Sequence, residues 1–211
     1  MRNIKLIVSY DGTNYHGWQS QKCEPTIQSE LKKVIEKIVN ENIKITASGR
    51  TDAGVHSEYQ VVNFYTRSKI NSYSLLRGIN SLINEDIRII AAKDVDINFN
   101  SRKDAKRRIY SYTIDNNPVA NPFTYKYKYH YPVKIDLNLL KKCTEKFVGT
   151  HNFTSFCASG SESISKIRTV YRFDIEKKEN DFIFTIEANA FLYNMIRIII
   201  GTLKWVNQGR L

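Results

Sequence analysis

The 211-residue sequence predicts an α+β fold. Three observations predict it: apolar residues alternate in short runs, other stretches carry them at helical spacing, and the two patterns follow each other in the order β-α-β-β-α-β before starting again. The first half completes that order. The second stops one strand short.

Ile4, Leu6, Val8 and Tyr10 alternate as a first strand. Ile27, Leu31, Val34, Ile35, Ile38 and Val39 then recur at helical spacing, with Thr26 placed as their N-cap. Strand patterns follow over 43–47 and 59–65, then a helix carrying Leu75, Leu76, Ile79, Leu82 and Ile83, then an apolar strand over 87–91. This is the split βαβ, or ferredoxin-like, unit, assigned to residues 1–100. Residues 101–211 repeat it with a strand over 109–114, a helix holding Leu139, Leu140, Cys143, Phe147 and Val148, strands over 170–175 and 182–186, and a helix over 191–206. The strand that would close this second unit is absent, and no residues match between the halves.

Hydrophobic content of 42% is that of a globular chain, and no apolar run approaches the roughly 18 residues a bilayer requires. No signal peptide is read at the N-terminus, so the expected location is the cytoplasm, with no membrane partner. Lys and Arg number 32 against 21 Asp and Glu, a net charge of +11, which points to a polyanionic partner. Arg102, Lys103, Lys106, Arg107 and Arg108 crowd one segment. Lys126, Lys128 and His130 alternate with Tyr125, Tyr127, Tyr129 and Tyr131, which on a strand puts the cations on one face and the rings on the other. That face either tracks phosphates or is the solvated side of a half-buried strand. Three scattered cysteines encode neither a disulfide framework nor a zinc site, and four histidines show no metal-ligand spacing, so no metal is expected.

The stretch richest in chemistry is Ser48-Gly49-Arg50-Thr51-Asp52-Ala53-Gly54-Val55-His56. One carboxylate, Asp52, stands two residues after Arg50 and between two glycines, where the backbone turns sharply and a bulky ligand can come close. Asp in such a place also serves ordinary turns by bonding its own backbone. His56 reads as a support for this loop. Asp11, before Gly12, reads as part of a turn.

Together with the run from Ser9 to Gln21, the segment Arg108-Ile109-Tyr110-Ser111-Tyr112 and the run from Ala190 to Gly201, this loop resembles the tRNA pseudouridine synthase A family, whose hallmark is GRTDAGVH. The resemblance runs in order from Tyr10 to Leu203 and implies a missing C-terminal end. Ser57-Glu58-Tyr59 and Asn84-Glu85-Asp86 depart from the usual pattern. It implies two ferredoxin-like units joined into one antiparallel sheet around a central basic cleft, in a homodimer acting on tRNA. The implied reaction isomerises uridine to pseudouridine at positions 38, 39 and 40 of the anticodon stem and loop. No atom is gained or lost, so no cofactor is needed.

By the same resemblance Asp52 is the catalytic nucleophile, Arg50 and Arg197 are the cations that keep it ionised, and Tyr110 stacks on the extruded base. Arg197 lies on an otherwise apolar helix, where a buried guanidinium without a partner is costly; the alternative is a side chain reaching water from the helix edge. Lys103, Lys106, Arg107 and Arg108 are the expected RNA contacts. Three rivals remain open on sequence: a non-catalytic RNA-binding module, a hydrolase holding a metal through Asp11 and Asp52, and a shortened synthase that retains only RNA affinity.

Overall fold

The structure is a computed structural model and describes residues 1–161 and 163–211. The chain divides into two compact units, Met1–Ala105 and Lys106–Leu211. The sequence places the junction after residue 100.

In the first unit β1 (Arg2–Tyr10), α1 (Ile27–Val39), β2 (Thr46–Ala47), β3 (Ser57–Thr66), α2 (Ser72–Leu82) and β4 (Ile87–Val95) follow the predicted order. The sheet runs β2-β3-β1-β4 with every pair antiparallel, the topology of the split βαβ unit. Ile4, Leu6, Val8 and Tyr10 of β1 form one core with Leu31 and Ile35 of α1 and Leu75 and Ile79 of α2. Thr26 caps α1 as expected, its hydroxyl accepting from the Ser29 amide at 3.3 Å, and Asn40 ends the helix in the left-handed region.

The strand predicted over 43–47 shrinks to two residues. Ile43 and Ile45 are buried, but their backbone groups bond α1 side chains: the Ile43 amide donates to Glu36 Oε1 at 2.9 Å, and Gln28 Nε2 donates to the Ile45 carbonyl at 3.2 Å.

The opposite face of this sheet is covered by the chain after β4, and buried amides hold it there. Asn3 Nδ2 donates to the carbonyls of Asp96 and Phe99, both at 2.9 Å, and Asn63 Nδ2 donates to Asn3 Oδ1 at 2.9 Å. The Ser101 amide donates to Asn63 Oδ1 at 3.0 Å, and the Ser101 hydroxyl donates to the Thr46 carbonyl at 2.8 Å. Every one of these polar side chains is buried and satisfied, as an interior requires.

The second unit holds β5 (Arg108–Asp115), β6 (Tyr129–His130), α3 (Leu137–Glu145), β7 (Gly149–Asn152), a single 3-10 turn (Thr154–Phe156), β8 (Ile167–Lys178), β9 (Asp181–Ala188) and α4 (Met195–Asn207). Its sheet runs β6-β5-β9-β8-β7. Ile114, Phe173, Ile175, Phe182, Phe184 and Ile186 pack on Leu140 of α3 and on Met195, Ile199, Ile200 and Leu203 of α4. Among the described residues no strand follows α4.

Several expectations change here. Each unit has its own ladder, and the β5·β6 pair is parallel, so the sheet of the second unit is mixed where an antiparallel one is expected. Alternation within a strand carries no information about which edge it pairs with. The Lys/Tyr alternation over 125–131 is not a strand except at Tyr129 and His130. Residues 122–127 wind into turns because the Asn121 carbonyl accepts from Thr124 and Tyr125, and the Thr124 carbonyl accepts from Tyr127 and Lys128. The last helix starts at Met195, four residues later than predicted, since Asn194 has φ +56° and interrupts the helical backbone.

Candidate active site

The loop over 48–56 joins β2 to β3, and its first end is tied to β3 by two hydrogen bonds. The Ser48 amide donates to the Val61 carbonyl at 2.9 Å, and Gln60 Nε2 donates to the Gly49 carbonyl at 2.6 Å. The middle of the loop is held by the chain that follows β1. Tyr10 Oη and Thr51 Oγ1 are 2.9 Å apart, the Trp18 amide donates to the Thr51 carbonyl at 3.0 Å, and the Gly54 amide donates to the Tyr15 carbonyl at 3.3 Å. Trp18 is fully buried beside Tyr10, with ring centroids 6.0 Å apart.

Two glycines of this second segment make the fit possible. A Cβ on Gly12 would lie 2.1 Å from the Val55 carbonyl oxygen; one on Gly17, whose φ is +85°, would lie 2.5 Å from the Thr51 carbonyl oxygen. Gly54 has φ +73° and open space around its missing Cβ, so it serves the turn and not a close approach.

Asp52 itself is half-buried, and its backbone carbonyl accepts from the Val55 amide at 3.1 Å, which closes a turn over 52–55. Arg50 is exposed. His56 closes the far end: its Nδ1 lies 3.1 Å from the Gly12 amide and 2.9 Å from Asp11 Oδ1. Asp11 Oδ1 also accepts from the Thr13 amide at 2.9 Å and the Thr13 hydroxyl at 2.6 Å, the bonding of a turn residue. Among the described residues no group of three or more His, Cys, Asp or Glu is placed to hold a metal ion.

In the second unit Tyr110 lies on β5 with its ring edge-on to Phe191, centroids 5.0 Å apart. Tyr112, two residues on, shares that face of the strand. Burial pushes the Tyr112 phenol up, with the Arg197 charge pulling the other way. Lys204 donates to Tyr129 Oη at 2.9 Å, which holds its own pKa up, and lies 5.4 Å from the ring centroids of both Tyr129 and Tyr131. Arg197 is exposed: α4 buries Met195, Ile199, Ile200 and Leu203, and Arg197 falls off that stripe. The premise of a buried guanidinium on an apolar helix is therefore corrected.

The basic segment is partly engaged within the protein. Arg107 Nη1 pairs with Glu187 Oε1 at 2.8 Å and its guanidinium lies 5.1 Å from the Tyr171 ring centroid, while Arg108 Nη1 donates to the Asn189 carbonyl at 2.7 Å. Lys103 and Lys106 are exposed. Residues 106–211 contain 17 Lys and Arg against nine Asp and Glu, so most of the +11 charge belongs to the second unit.

A family model described as tRNA pseudouridine synthase matches residues 6–102 and 144–211, which include the Asp52 loop, its clamp and Arg197. The tRNA pseudouridine synthase A of Thermoanaerobacter sp. (strain X514) is 46% identical over 211 residues, covering 100% of this chain and 86% of that relative. Those of Clostridium kluyveri and Finegoldia magna are 44% and 39% identical over 213 and 210 residues, with the same coverage of both partners. A chain of the solved Cbf5-Nop10-Gar1 complex aligns at a TM-score of 0.39 and 14% identity over 95% of this chain and 53% of its own, too weakly to carry an argument. Fold and loop together define an α+β protein that presents one carboxylate on a clamped turn. The chain belongs to the tRNA pseudouridine synthase family.

Proposed function

We propose that the chain isomerises uridine to pseudouridine in tRNA, at positions 38, 39 and 40 of the anticodon stem and loop, with Asp52 as nucleophile. The observation that carries this is the Asp52 turn, pinned on both flanks, in a chain whose family is shown. A backbone turn held in one place limits the reorganisation its carboxylate needs to meet a substrate, and such positioning is a large part of catalytic rate.

The chemistry balances without any other reactant. The bond from ribose C1′ to N1 breaks, the base turns, C5 bonds to C1′, and the C5 proton is released as N1 takes one up. Asp52 attacks the nucleotide and is regenerated when the new glycosidic bond is complete. Arg50 and Arg197 have the role that the family resemblance gives them, cations that keep the carboxylate ionised. Tyr110 stacks on the uracil once it has left the RNA stack, replacing part of the lost stacking energy. Lys103 and Lys106, being exposed, are better suited to phosphates than Arg107 and Arg108, which already have partners. A cytoplasmic homodimer working without a cofactor is the expectation that the family supplies.

Release of tritium from tRNA carrying C5-labelled uridine tests this directly. Stoichiometric release from the expected positions supports the reading, and none from a folded, tRNA-binding preparation overturns it.

A further inference from the structure

The chain between β5 and β6 has no place in the mechanism above, and the family match passes over it. It is nonetheless built with care. Buried Asp115 accepts from the Asn117 amide at 3.0 Å and from Asn117 Nδ2 at 2.6 Å, Asn116 Nδ2 donates to the carbonyls of Tyr131 and Val133, and Lys128 pairs with Asp181. On this base stands the turn opened by Asn121, whose Oδ1 accepts from the Phe123 amide at 2.9 Å.

What the turn presents is unusual for a surface. Phe123 is 88% exposed, Tyr125 60% and Tyr127 54%, all within five residues. The hydrogen-bonded turn has already fixed the backbone that carries these rings, which lowers the ordering cost of binding there. The charge says what that is. From Asn116 to Ile135 the sequence has Lys126, Lys128 and Lys134 and no acidic residue, within the unit that carries most of the positive charge. Lys128 is paired with Asp181, which leaves Lys126 between the Tyr125 and Tyr127 rings, and rings beside such a cation match unstacked bases on a phosphate chain. They do not match an apolar protein surface, which would have no use for the lysines.

We infer that the 121–128 turn is a second RNA-binding element, on which unpaired nucleotides of the tRNA stack against Phe123, Tyr125 and Tyr127 while Lys126 meets a phosphate. The inference rests on the reading of the chain as a tRNA enzyme, and it adds a contact that the Asp52 loop does not provide.

The test uses the full chain, an unmodified tRNA transcript and a blunt RNA duplex with the same number of phosphates. The F123A/Y125A/Y127A variant should bind the transcript about tenfold or more weakly, bind the duplex as wild type does, and keep the wild-type salt slope, since the lost groups are neutral. The Y125F/Y127F variant retains the rings and should bind the transcript like wild type. Unchanged transcript affinity in the alanine variant overturns the inference, and so does an equal loss on the duplex. A dimer-to-monomer shift in sedimentation with transcript affinity unchanged also overturns it, and assigns the rings to a second copy of the chain. Tritium release by the wild type separates the two readings: release with an indifferent turn sinks only this inference, whereas ring-dependent binding without release supports the turn and sinks the isomerase.

Discussion

Gly17 lies against Thr51 so closely that a Cβ on it would stand 2.5 Å from the Thr51 carbonyl oxygen, one residue before Asp52. The neighbour is backbone, and Gly17 has φ +85°, so an alanine there is strained and also pushes the loop. Gly17→Ala should lower stability by about 1–3 kcal/mol and turnover by about 100-fold, because a displacement on the order of 1 Å is enough to misplace a reacting group. Urea unfolding and tritium release read the two effects. Turnover near wild type would show that the clamp does not position Asp52.

The buried amide relay makes a second prediction. Asn63→Ala removes the donor to Asn3 Oδ1 and the acceptor of the Ser101 amide, leaving two buried polar groups without those partners. The cost should be about 2–4 kcal/mol in the first unit. A loss under about 0.5 kcal/mol, the range of an ordinary surface substitution, would mean that water reaches the relay.

Tyr110 is predicted to act through its ring in binding. Tyr110→Phe keeps the ring and its edge contact with Phe191 and should bind tRNA normally; Tyr110→Ala should weaken binding by about fivefold to 100-fold. Filter binding at fixed salt distinguishes them. Wild-type affinity and turnover in the alanine variant would remove Tyr110 from the site.

Asp94 gives a pH signature. Arg2 bonds its carboxylate at 2.7 and 2.8 Å and Ser72 at 2.7 Å, and these bonds hold its pKa down at about 2 from the usual 3.8. A depressed carboxylate stabilises the fold above its unfolded pKa and loses that stabilisation as pH falls through the folded value. The window is therefore from 3.8 down to about 2. Since the side chain is half exposed, solvent screening limits the effect to about 0.5–1 kcal/mol. Asp94→Asn should flatten that part of the stability curve, and superimposable curves for wild type and variant would contradict it.

The first unit is legible in the sequence because each of its main elements turns one apolar stripe to a shared core. Ile4, Leu6, Val8 and Tyr10 alternate and are all buried; α1 shows its apolar stripe and its Thr26 cap. Legibility fails where backbone pairing and side-chain burial part company. Ile43 and Ile45 are buried without being in a ladder, and the tyrosines of 125–131 alternate mostly in a turn. β7 and the 3-10 turn escape because Gly149–Asn152 is an exposed edge with no apolar alternation, so nothing in its pattern marks it as a strand.

The site is legible as a motif and not as geometry. Asp52 announces itself, but that Tyr10, Gly12, Gly17 and Trp18 hold its loop depends on contacts across more than thirty residues of chain. The glycines were the available signal, since Gly12 and Gly17 punctuate a segment that is otherwise neither strand nor helix.

The central claim, that Asp52 performs the chemistry, is tested most directly by tritium release from C5-labelled tRNA with wild type and Asp52→Asn, alongside tRNA affinity for both. Asn keeps the size of Asp and removes its charge, while affinity comes mainly from phosphate contacts elsewhere. The account predicts no measurable release by the variant and an affinity within several-fold of wild type. Release by Asp52→Asn at a rate near wild type would contradict it.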